Sequence, residues 1–414
     1  MHIVIIGSSV ASKSAIETIL SENRTDVEIT VITKDFKYYY SRVLLPNYIA
    51  GEISLEELSF VDETFIKENR IKIINGMVKG LNTELKQVYV DKFVSIEYDK
   101  LIIASGASAS KLENVDIGME GIFYLRDLEH AEAIKKIAYQ SRKCLVVGGG
   151  LVSLKVAGAL KKLGIDVTVL VESERLLSRV VDKHTSEIVR NLFQQNGVRI
   201  ILKAEIDEIV EKAGSISGIK LKDSEFLHCD FIVIGKGVKP NISITFGTNI
   251  KVGKGIFVNN KMETSAEDVY AAGDVAQSSS LLSNCTDTYT LWPDAMYQGR
   301  VAAHSILGID KKYTGGLSMN SVVFFGVPFI SVGRIFDSEI SDCNVHIKTE
   351  PIRNIYRKIV LKEKRIVGLV FTGDISFAGM VCWDIRSGRE VRHPKMYLTR
   401  KGLEELYIMR NSQL

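Results

Sequence analysis

Two copies of a strand–turn–helix–strand unit, about 140 residues apart, constrain this chain more than any other feature of its sequence. In the second copy an apolar run at 144–147 leads into Gly148-Gly149-Gly150, and a helical pattern follows. Gly164 is placed to cap that helix, and the next strand, at 167–171, ends at Glu172. The repeat predicts an α/β protein with two nucleotide-type units.

The glycines of the second copy have the spacing of a dinucleotide-binding turn. Gly148 permits a tight turn, and Gly150 lets the backbone approach a pyrophosphate at the positive N-terminus of the helix. Glu172 lies 22 residues after Gly150, where a carboxylate accepts both hydroxyls of a ribose. An acid there repels a 2′-phosphate, so the pattern favours NAD over NADP, although Arg175 is near. Ser153 replaces the third glycine, and a purely structural glycine turn is the alternative.

The first copy departs further from that pattern. The strand at 3–6 leads into Gly7, but Ser9 and Ser12 stand where the second and third glycines are expected. Ser9 still has room to admit a pyrophosphate and to donate a hydrogen bond to it. After the second strand, at 27–32, the acid position holds Thr33, with Asp35 two residues on. Taken alone, this copy leaves a dinucleotide site and ordinary α/β packing equally open.

Three further strands, at 101–104, 231–234 and 269–272, each end close to a glycine. After about Tyr313 the pattern changes to short strands and a final helix near 401–409. This change predicts a third domain at the C-terminus.

Composition excludes several classes of protein. The formal net charge of +3 on 414 residues is too small to indicate nucleic-acid binding. The apolar stretch at 321–333 is too short to span a bilayer and contains Gly326 and Pro328. The chain opens on a strand-like run without a basic leader, so we expect a cytoplasmic protein.

The five cysteines are too far apart for a Cys-x-x-Cys motif, which disfavours zinc ribbons, iron–sulfur clusters and a local redox disulfide. We therefore expect no metal site and five reduced cysteines in packing roles.

Several motifs occur together in a characteristic order. The segment ending in Gly273-Asp274-Val275 resembles the FAD motif of the pyridine-nucleotide-disulfide oxidoreductase superfamily, in which the strand-end Asp binds the ribityl chain. Ala104-Ser105-Gly106 resembles its Ala-Thr-Gly motif, and the segment 235–241 resembles the Gly-x-x-Pro-Asn signature. The segment 291–300 resembles the helix whose N-terminus faces the flavin ring. This resemblance covers roughly residues 1–312.

Within the superfamily the chain looks most like NADH–rubredoxin reductases and the flavin module of NADH nitrite reductases. The segments that carry this likeness are 39–46, 50–52 and 125–131. The resemblance implies a glutathione-reductase-like α/β fold with two Rossmann-like dinucleotide-binding domains and a C-terminal α+β interface domain. The implied boundaries are 1–110 with 245–312 for FAD, 111–244 for NAD, and 313–414 for the interface or partner-docking domain.

The resemblance also implies the cofactor-binding residues, FAD on the first set and NAD(H) on the second. The FAD set is Gly7, Ser9, Val10, Ala11, Thr33, Lys34, Asp35, Arg42, Val78, Ala104, Ser105, Gly106, Arg126, Gly273, Asp274 and Trp292. Of these, Arg42 would lie by the FAD phosphates or the ring edge, and Arg126 near the junction of the cofactors. The NAD set is Gly148, Gly150, Leu151, Val152, Glu172, Gly235, Gly237 and Val238.

Departures from the family pattern bear on the chemistry. Disulfide reductases carry a cysteine pair on the first long helix, and coenzyme A-disulfide reductases and water-forming NADH oxidases use one cysteine in the segment at 40–42. Neither is present here, which removes the thiol nucleophile.

A lysine–glutamate pair of related ferredoxin reductases is also altered. Their lysine, near flavin N5, corresponds to Asn47, and their glutamate corresponds to Lys155. We hypothesise that Lys155 supplies the cation that stabilises the reduced flavin, assisted by Asn47, with Arg42 as the third candidate catalytic residue. The alternative is that Lys155 extends to solvent.

The resulting expectation is an FAD-dependent NAD(H) oxidoreductase whose electrons pass to or from an acidic iron–sulfur protein of rubredoxin or ferredoxin type. From 341 to 414 there are 14 Lys and Arg against eight Asp and Glu, a basic excess that can steer such a partner or serve only as a solvated face. The alternatives are an electron-transfer subunit of a metalloenzyme complex, a non-catalytic flavin sensor, an NADH oxidase, or a reductase of small acceptors. A homodimer is compatible with the sequence.

Overall fold

The computed structural model describes residues 1–22, 26–91, 94–112, 119–212 and 214–411. Its strands, in chain order, are β1 (His2–Ile6), β2 (Glu28–Thr33), β3 (Lys72–Asn75), β4 (Val78–Asn82), β5 (Gln87–Val90), β6 (Val94–Glu97), β7 (Lys100–Ile103), β8 (Ala107–Ala109), β9 (Ile122–Tyr124), β10 (Lys143–Val147), β11 (Asp166–Val171), β12 (Arg199–Leu202), β13 (Ile206–Lys212), β14 (Ser215–Leu221), β15 (Phe226–His228), β16 (Phe231–Ile234), β17 (Val238–Pro240), β18 (Ile256–Phe257), β19 (Val269–Ala271), β20 (Ala276–Ser279), β21 (Thr286–Thr288), β22 (Met319–Phe324), β23 (Val327–Gly333), β24 (Asn344–Glu350), β25 (Ile355–Lys362) and β26 (Arg365–Thr372). Its α-helices are α1 (Val10–Ser21), α2 (Leu45–Ile49), α3 (Glu63–Glu68), α4 (Leu128–Ala138), α5 (Leu151–Lys162), α6 (Lys183–Gln195), α7 (Trp292–Ile306), α8 (Ala378–Ser387) and α9 (Arg400–Asn411).

One compact unit consists of Met1–Leu44, Ile53–Ser108 and Val238–Leu317. Its centre is a parallel five-stranded sheet in the order β19-β7-β1-β2-β3. The runs of β1 and β7 are buried along almost their whole length, which is typical of parallel strands covered on both faces. The meander β4-β5-β6 forms a separate antiparallel sheet of the same unit.

Helices α1 and α7 of this unit cross at a very short separation. A Cβ added at Gly299 would lie 2.1 Å from the carbonyl oxygen of Ala11, so this crossing requires glycine. Around it Ala15, Ile16 and Val301 are fully buried. The crossing fixes the N-terminus of α1 beside the loop that follows β19.

The other compact unit consists of Leu45–Glu52, Ala109–Gly237 and Ser318–Leu414. It contains a second parallel five-stranded sheet, in the order β12-β11-β10-β16-β9, and the antiparallel sheet β13-β14-β15. Its C-terminal part is an antiparallel sheet in the order β22-β23-β26-β25-β24, followed by α8 and α9. The sequence predicted short strands in this part of the chain. That prediction is wrong for β25 and β26, which have eight residues each.

Asp182 connects the C-terminal sheet to the rest of this unit. Its Oδ1 accepts a hydrogen bond from the Thr185 N–H at 3.0 Å and so caps α6. Its Oδ2 accepts the Tyr356 hydroxyl at 2.7 Å and lies 3.4 Å from Nζ of Lys358. Lys358 is buried and also donates to the carbonyl of Ile335 at 2.8 Å, so one carboxylate holds two strand residues of β25.

The three-domain division stays a prediction, since the structure separates the chain into two compact units. The C-terminal sheet falls in the same unit as β10, not in a unit of its own. The segment Leu45–Glu52, which the sequence assigned to the FAD domain, also falls in this second unit, where α2 packs against α4 and α5.

Candidate functional site

The first glycine turn, between β1 and α1, requires glycine at Gly7. Gly7 has φ +108°, and a Cβ added there would lie 2.1 Å from the carbonyl oxygen of Ala104. Ser9 is the N-cap residue of α1 and has an extended backbone, and its side chain makes no capping hydrogen bond among the described residues. Val10 and Ala11 are buried in the first turn of the helix. This end of α1 therefore presents the Ser9 hydroxyl and N–H groups to an anion.

Ser12, at the position of the third glycine, has a structural partner that the sequence did not predict. Its hydroxyl is buried and hydrogen-bonded to the hydroxyl of Tyr39 at 2.9 Å. Tyr39 is itself fully buried, with φ +54°, and burial raises the pKa of its phenol well above the ordinary value. The serine thus ties the Tyr39 loop to α1.

Polar residues gather after β2. The Thr33 hydroxyl is hydrogen-bonded to that of Ser8 at 2.7 Å and accepts the Asp35 N–H at 3.2 Å. Asp35 forms an ion pair with Arg42, whose guanidinium lies 4.7 Å from the ring centre of Tyr40. Lys34 between them is exposed. The structure therefore brings Arg42 to the end of β2, where the second strand of such a unit meets a ribose.

Asn241 braces the segment after β7. Its side-chain N–H donates to the Ser105 carbonyl at 2.8 Å, and its Oδ1 accepts the Ser108 hydroxyl at 2.7 Å. The Asn241 N–H donates to the carbonyl of Gly106, which has φ +68°. The last residue of the Gly-x-x-Pro-Asn signature therefore fixes the backbone of the Ala104-Ser105-Gly106 segment.

Gly273 and Asp274 follow β19. Gly273 has φ +80°, its N–H donates to Oε1 of the buried Gln298 at 2.8 Å, and an added Cβ would lie 3.3 Å from Cβ of Ala11. Asp274 is thereby held beside the start of α1. Trp292 begins α7 and packs edge-on against Phe60 at 5.1 Å. Val78, also a predicted FAD contact, is buried in β4.

The second glycine turn, between β10 and α5, has one glycine with no room for a side chain and one glycine beside open space. Gly148 has φ +122°, and an added Cβ would lie 2.5 Å from the Gly235 carbonyl oxygen. At Gly150, the N-cap of α5, an added Cβ would meet no atom of the described residues within 4 Å. Leu151 and Val152 form the first turn of α5. The space beside Gly150 is the room that a pyrophosphate needs.

Ser153 occupies the third glycine position of this turn and packs against a glycine. Its hydroxyl donates to the Gly235 carbonyl at 3.0 Å, and a Cβ added at Gly235 would lie 2.2 Å from the Ser153 Oγ. Gly235 therefore makes room for the bulkier third residue. Gly237 has φ +89° and open space around it, and Val238 begins β17.

Glu172 has a basic partner. Its Oε2 lies 2.6 Å from Nζ of Lys236, and this hydrogen bond and charge hold the pKa of the Glu172 carboxyl below its usual range. In the sequence Lys236 lies between two glycines at the end of a predicted strand. That position was the one sequence feature that could have indicated its proximity to Glu172.

A third group of charges lies where α2 meets α5. Glu52 forms an ion pair with Lys162 and accepts the Asn47 side-chain N–H at 2.7 Å. Lys155 is partly buried; burial lowers its pKa, the Glu52 charge opposes that shift, and Lys162 adds to it. All four residues line a cavity of about 160 Å³. Its apolar wall is formed by Phe193 and the turn between β22 and β23.

Arg126 is the one predicted FAD contact that falls in the second compact unit, where it is partly buried in the loop before α4.

The cysteines are all free thiols. Burial raises the pKa of Cys144, that of Cys229 to about 12 and that of Cys382 to about 11, as expected for packing residues. Cys285 is exposed and Cys343 partly so, which makes the predicted packing role wrong for Cys285.

Among the described residues, no group of three or more His, Cys, Asp or Glu side chains is arranged to hold a metal ion. Over the same ranges, none of the helices combines the length and apolar character that a bilayer span requires.

The chain belongs to the pyridine nucleotide-disulphide oxidoreductase family, whose model matches residues 1–299. The model of the rubredoxin NAD⁺ reductase C-terminal domain matches residues 319–381.

Named relatives extend this likeness. An assimilatory nitrate reductase electron transfer subunit of Bacillus subtilis is 29% identical over 375 residues, 90% of this chain and 48% of the relative. The epsilon subunit of an NADH-dependent phenylglyoxylate dehydrogenase of Aromatoleum evansii is 30% identical over 333 residues, 80% of this chain and 78% of the relative. The NADH:rubredoxin oxidoreductase structure from Clostridium acetobutylicum has a TM-score of 0.76 and 26% identity, with 95% of this chain and 96% of that chain covered. The chain spans about half the length of the nitrate and nitrite reductase relatives.

Family membership confirms the predicted superfamily and the α/β fold with two Rossmann-type domains. The same match supports the predicted cofactors, FAD and NAD(H). The residues present fit both nucleotides, since the second turn has open space beside Gly150, the first has the Ser9 hydroxyl at the start of α1, and each has a polar group after its second strand.

Proposed function

We propose that the protein transfers a hydride between NAD(H) and FAD, and electrons between FAD and a small acidic iron–sulfur protein of rubredoxin or ferredoxin type, in the cytoplasm. The observation that carries this proposal is the pair of glycine turns, at Gly7 and Gly148, in a chain with no cysteine on α1 or at 40–42. Without a thiol relay, electrons have to leave the flavin directly. The matched rubredoxin-reductase C-terminal domain and the similarity to NADH:rubredoxin oxidoreductase support the choice of partner.

When bound, FAD supplies hydride exchange with the nicotinamide and electron exchange with the acceptor, while the protein supplies binding and orientation. The N-terminus of α1 and Ser9 would bind the FAD pyrophosphate, and Asp274 its ribityl hydroxyls. The N-terminus of α5 would bind the NAD pyrophosphate, and Glu172 the adenosine ribose.

The contacts of Arg42 favour one of the two positions that the resemblance left open. Its ion pair with Asp35, after β2, supports a position at the adenosine phosphates of FAD rather than at the ring edge. We therefore assign Arg42 to cofactor binding, where its charge offsets that of a phosphate.

Lys155 remains the candidate for the cation that stabilises reduced flavin. Its support is the cluster with Glu52 and Asn47, in which a partly buried ammonium has a carboxylate nearby. The Asn47 side chain acts through Glu52, to which it donates, so we propose a positioning role for Asn47.

The test of this role is the flavin midpoint potential. Lys155→Ala should lower the potential by about 30 mV, since a tenfold change in a two-electron equilibrium corresponds to that shift. Lys161→Ala, on the same helix, is the matched control and should leave the potential unchanged. A Lys155→Ala potential equal to that of the wild type would reject the role and leave Lys155 as a solvent-directed side chain.

The overall function is tested by anaerobic addition of NADH to the yellow, FAD-loaded protein. Loss of the flavin absorbance within seconds, followed by re-oxidation with rubredoxin or ferredoxin but not with air, is the expected result. A flavin that stays oxidised would support a sensor, and rapid re-oxidation by air would support an oxidase.

A role as an electron-transfer subunit of a larger metalloenzyme is the second candidate. The similarity to a nitrate reductase electron transfer subunit and to a dehydrogenase epsilon subunit favours it. Purification from the native source distinguishes the two, because a subunit copurifies with a metalloenzyme in fixed stoichiometry.

A further inference from the structure

Lys236 and Glu172 lie at the same level on either side of the glycine turn that follows β10. In the parallel sheet, Val147 of β10 is in register with Leu170 of β11 and with Ile234 of β16. Glu172 and Lys236 each follow those partners by two residues. Their 2.6 Å ion pair therefore crosses the carboxyl edge of β10.

This crossing lies where a nucleotide binds. In open α/β sheets the ligand occupies the carboxyl edge of the strands, above the turn of the first strand. Strands two positions apart are separated by about 10 Å, a gap that one extended lysine and one glutamate together can span. The Glu172 side chain is 69% exposed and that of Lys236 is 32% exposed, so an incoming ligand can reach both groups.

Two other cationic side chains near Glu172 in sequence or in the sheet, those of Arg175 and Lys203, have different partners. Arg175, three residues away, donates to the carbonyls of Val181 at 2.7 Å and Ser178 at 2.9 Å. Lys203 pairs with Glu174 at 2.9 Å. Among the described residues, the cation paired with the Glu172 carboxylate is thus Lys236.

We propose that Lys236 is a specificity-determining residue of the nicotinamide-nucleotide site, whose ammonium offsets the repulsion between Glu172 and a 2′-phosphate. The site then accepts 2′-phosphorylated nucleotides as well as NAD(H). This inference rests on the proposed NAD site and revises its expected preference, since the acid alone would exclude NADP(H). With NAD(H), Glu172 accepts the ribose hydroxyls; with a 2′-phosphate, Lys236 contacts the phosphate in place of Glu172.

The test measures binding to the FAD-loaded protein, by calorimetry, of two probes that cannot be reduced and that differ only in the 2′-phosphate: adenosine 5′-monophosphate (AMP) and 2′,5′-ADP. The wild type should bind both with dissociation constants within about threefold of each other, because the pair presents no net charge. Lys236→Ala should weaken binding of 2′,5′-ADP by about tenfold and leave AMP binding nearly unchanged, since one charge-assisted contact is lost. Lys236→Arg should retain both affinities.

Lys203→Ala is the matched control, because it removes a lysine from a similar ion pair at the same sheet edge and should change neither affinity. Equal weakening of both probes by Lys236→Ala would overturn the proposal, and so would a wild type that already rejects 2′,5′-ADP. Failure of the wild type to bind AMP as well would instead contradict the proposed nucleotide site itself.

Discussion

At the scale of single residues, local geometry decides which glycines of the two turns can be replaced. Gly148 and Gly150 belong to one turn and look equivalent in sequence. Gly148 has a left-handed backbone and a carbonyl oxygen 2.5 Å from the position of a Cβ, whereas the space beside Gly150 is open among the described residues. One glycine is therefore required by the fold and the other by the ligand.

We predict opposite effects for the two substitutions. Gly148→Ala should lower the free energy of unfolding by about 2 kcal/mol or more, through left-handed strain and the clash with the Gly235 carbonyl. Gly150→Ala, with φ −86°, should unfold like the wild type but bind ADP at least about tenfold more weakly, because a methyl group takes the space of the pyrophosphate. Denaturant unfolding and calorimetry of both variants test this. Equal stability of the two variants would show that the turn tolerates a side chain.

The serines at the third glycine positions show what the sequence of a turn cannot predict. The sequence identifies Ser12 and Ser153 as departures from the glycine spacing of a dinucleotide-binding turn. Their partners, Tyr39 and Gly235, lie 27 and 82 residues away. A side-chain contact at that separation depends on the tertiary fold, so the pattern of either turn alone could not predict it.

At the scale of elements, the central strands were the most predictable. The run predicted at 231–234 is β16 itself, and β10 and β11 each begin one residue before the predicted strand. Their uninterrupted apolar runs are typical of strands buried on both faces. The five-residue helix α2 was not predictable in the same way, because its place depends on contacts with α4 and α5.

The Asp182 carboxylate joins α6 to β25, and we expect the stability of the protein to depend on its charge. Asp182→Asn keeps a capping side chain for α6 but leaves the buried ammonium of Lys358 without its carboxylate. Breaking a buried pair costs about 3–5 kcal/mol, and we expect a loss of stability near the lower end, since Lys358 retains the Ile335 carbonyl. Denaturant unfolding measures the loss. Asp62→Asn, at the exposed cap of α3, is the control and should change stability by less than about 0.5 kcal/mol.

The same residue gives a pH dependence with a definite sign. Burial raises the pKa of Asp182, but the hydrogen bonds from Tyr356 and Thr185 and the charge of Lys358 outweigh it, so the folded-state pKa is depressed. The stability that Asp182 contributes is present above its unfolded-state pKa, about 3.9, and is lost as pH falls through the lower folded-state pKa. Between pH 5 and pH 3 the wild type should lose more stability than Asp182→Asn. Parallel pH profiles of the two proteins would contradict this.

At the scale of the whole molecule, charge is unevenly distributed along the chain. The segment 341–414 carries a net charge of +6, which leaves about −3 for the rest. Not all of this excess is available to a partner. Arg357 and Lys358 are buried in ion pairs with Asp374 and Asp182, and Arg410 pairs with the buried Asp384. Counting charges in the sequence therefore overstated the attraction that this segment can exert.

The exposed basic residues at 389–395 test electrostatic steering more directly than the net charge of the whole segment does. Arg389, Arg392 and Lys395 are exposed and close in sequence. If an acidic iron–sulfur protein approaches this segment, the triple change to Glu should slow association by about tenfold or more at low salt, and the difference should shrink as salt screens it. Stopped-flow re-oxidation of the reduced flavin by rubredoxin or ferredoxin, across a salt series, measures the effect.

The matched control for that triple variant changes three exposed lysines of the other compact unit, Lys67, Lys72 and Lys251, to Glu. Both variants alter the net charge equally, so a general charge effect slows them alike, whereas a docking surface at 389–395 slows only the first. Because none of the six residues belongs to a proposed nucleotide site, reduction by NADH should be unchanged in both. Equal slowing of the two variants would leave the basic C-terminal segment as a solvated surface and direct the search for the acceptor site elsewhere.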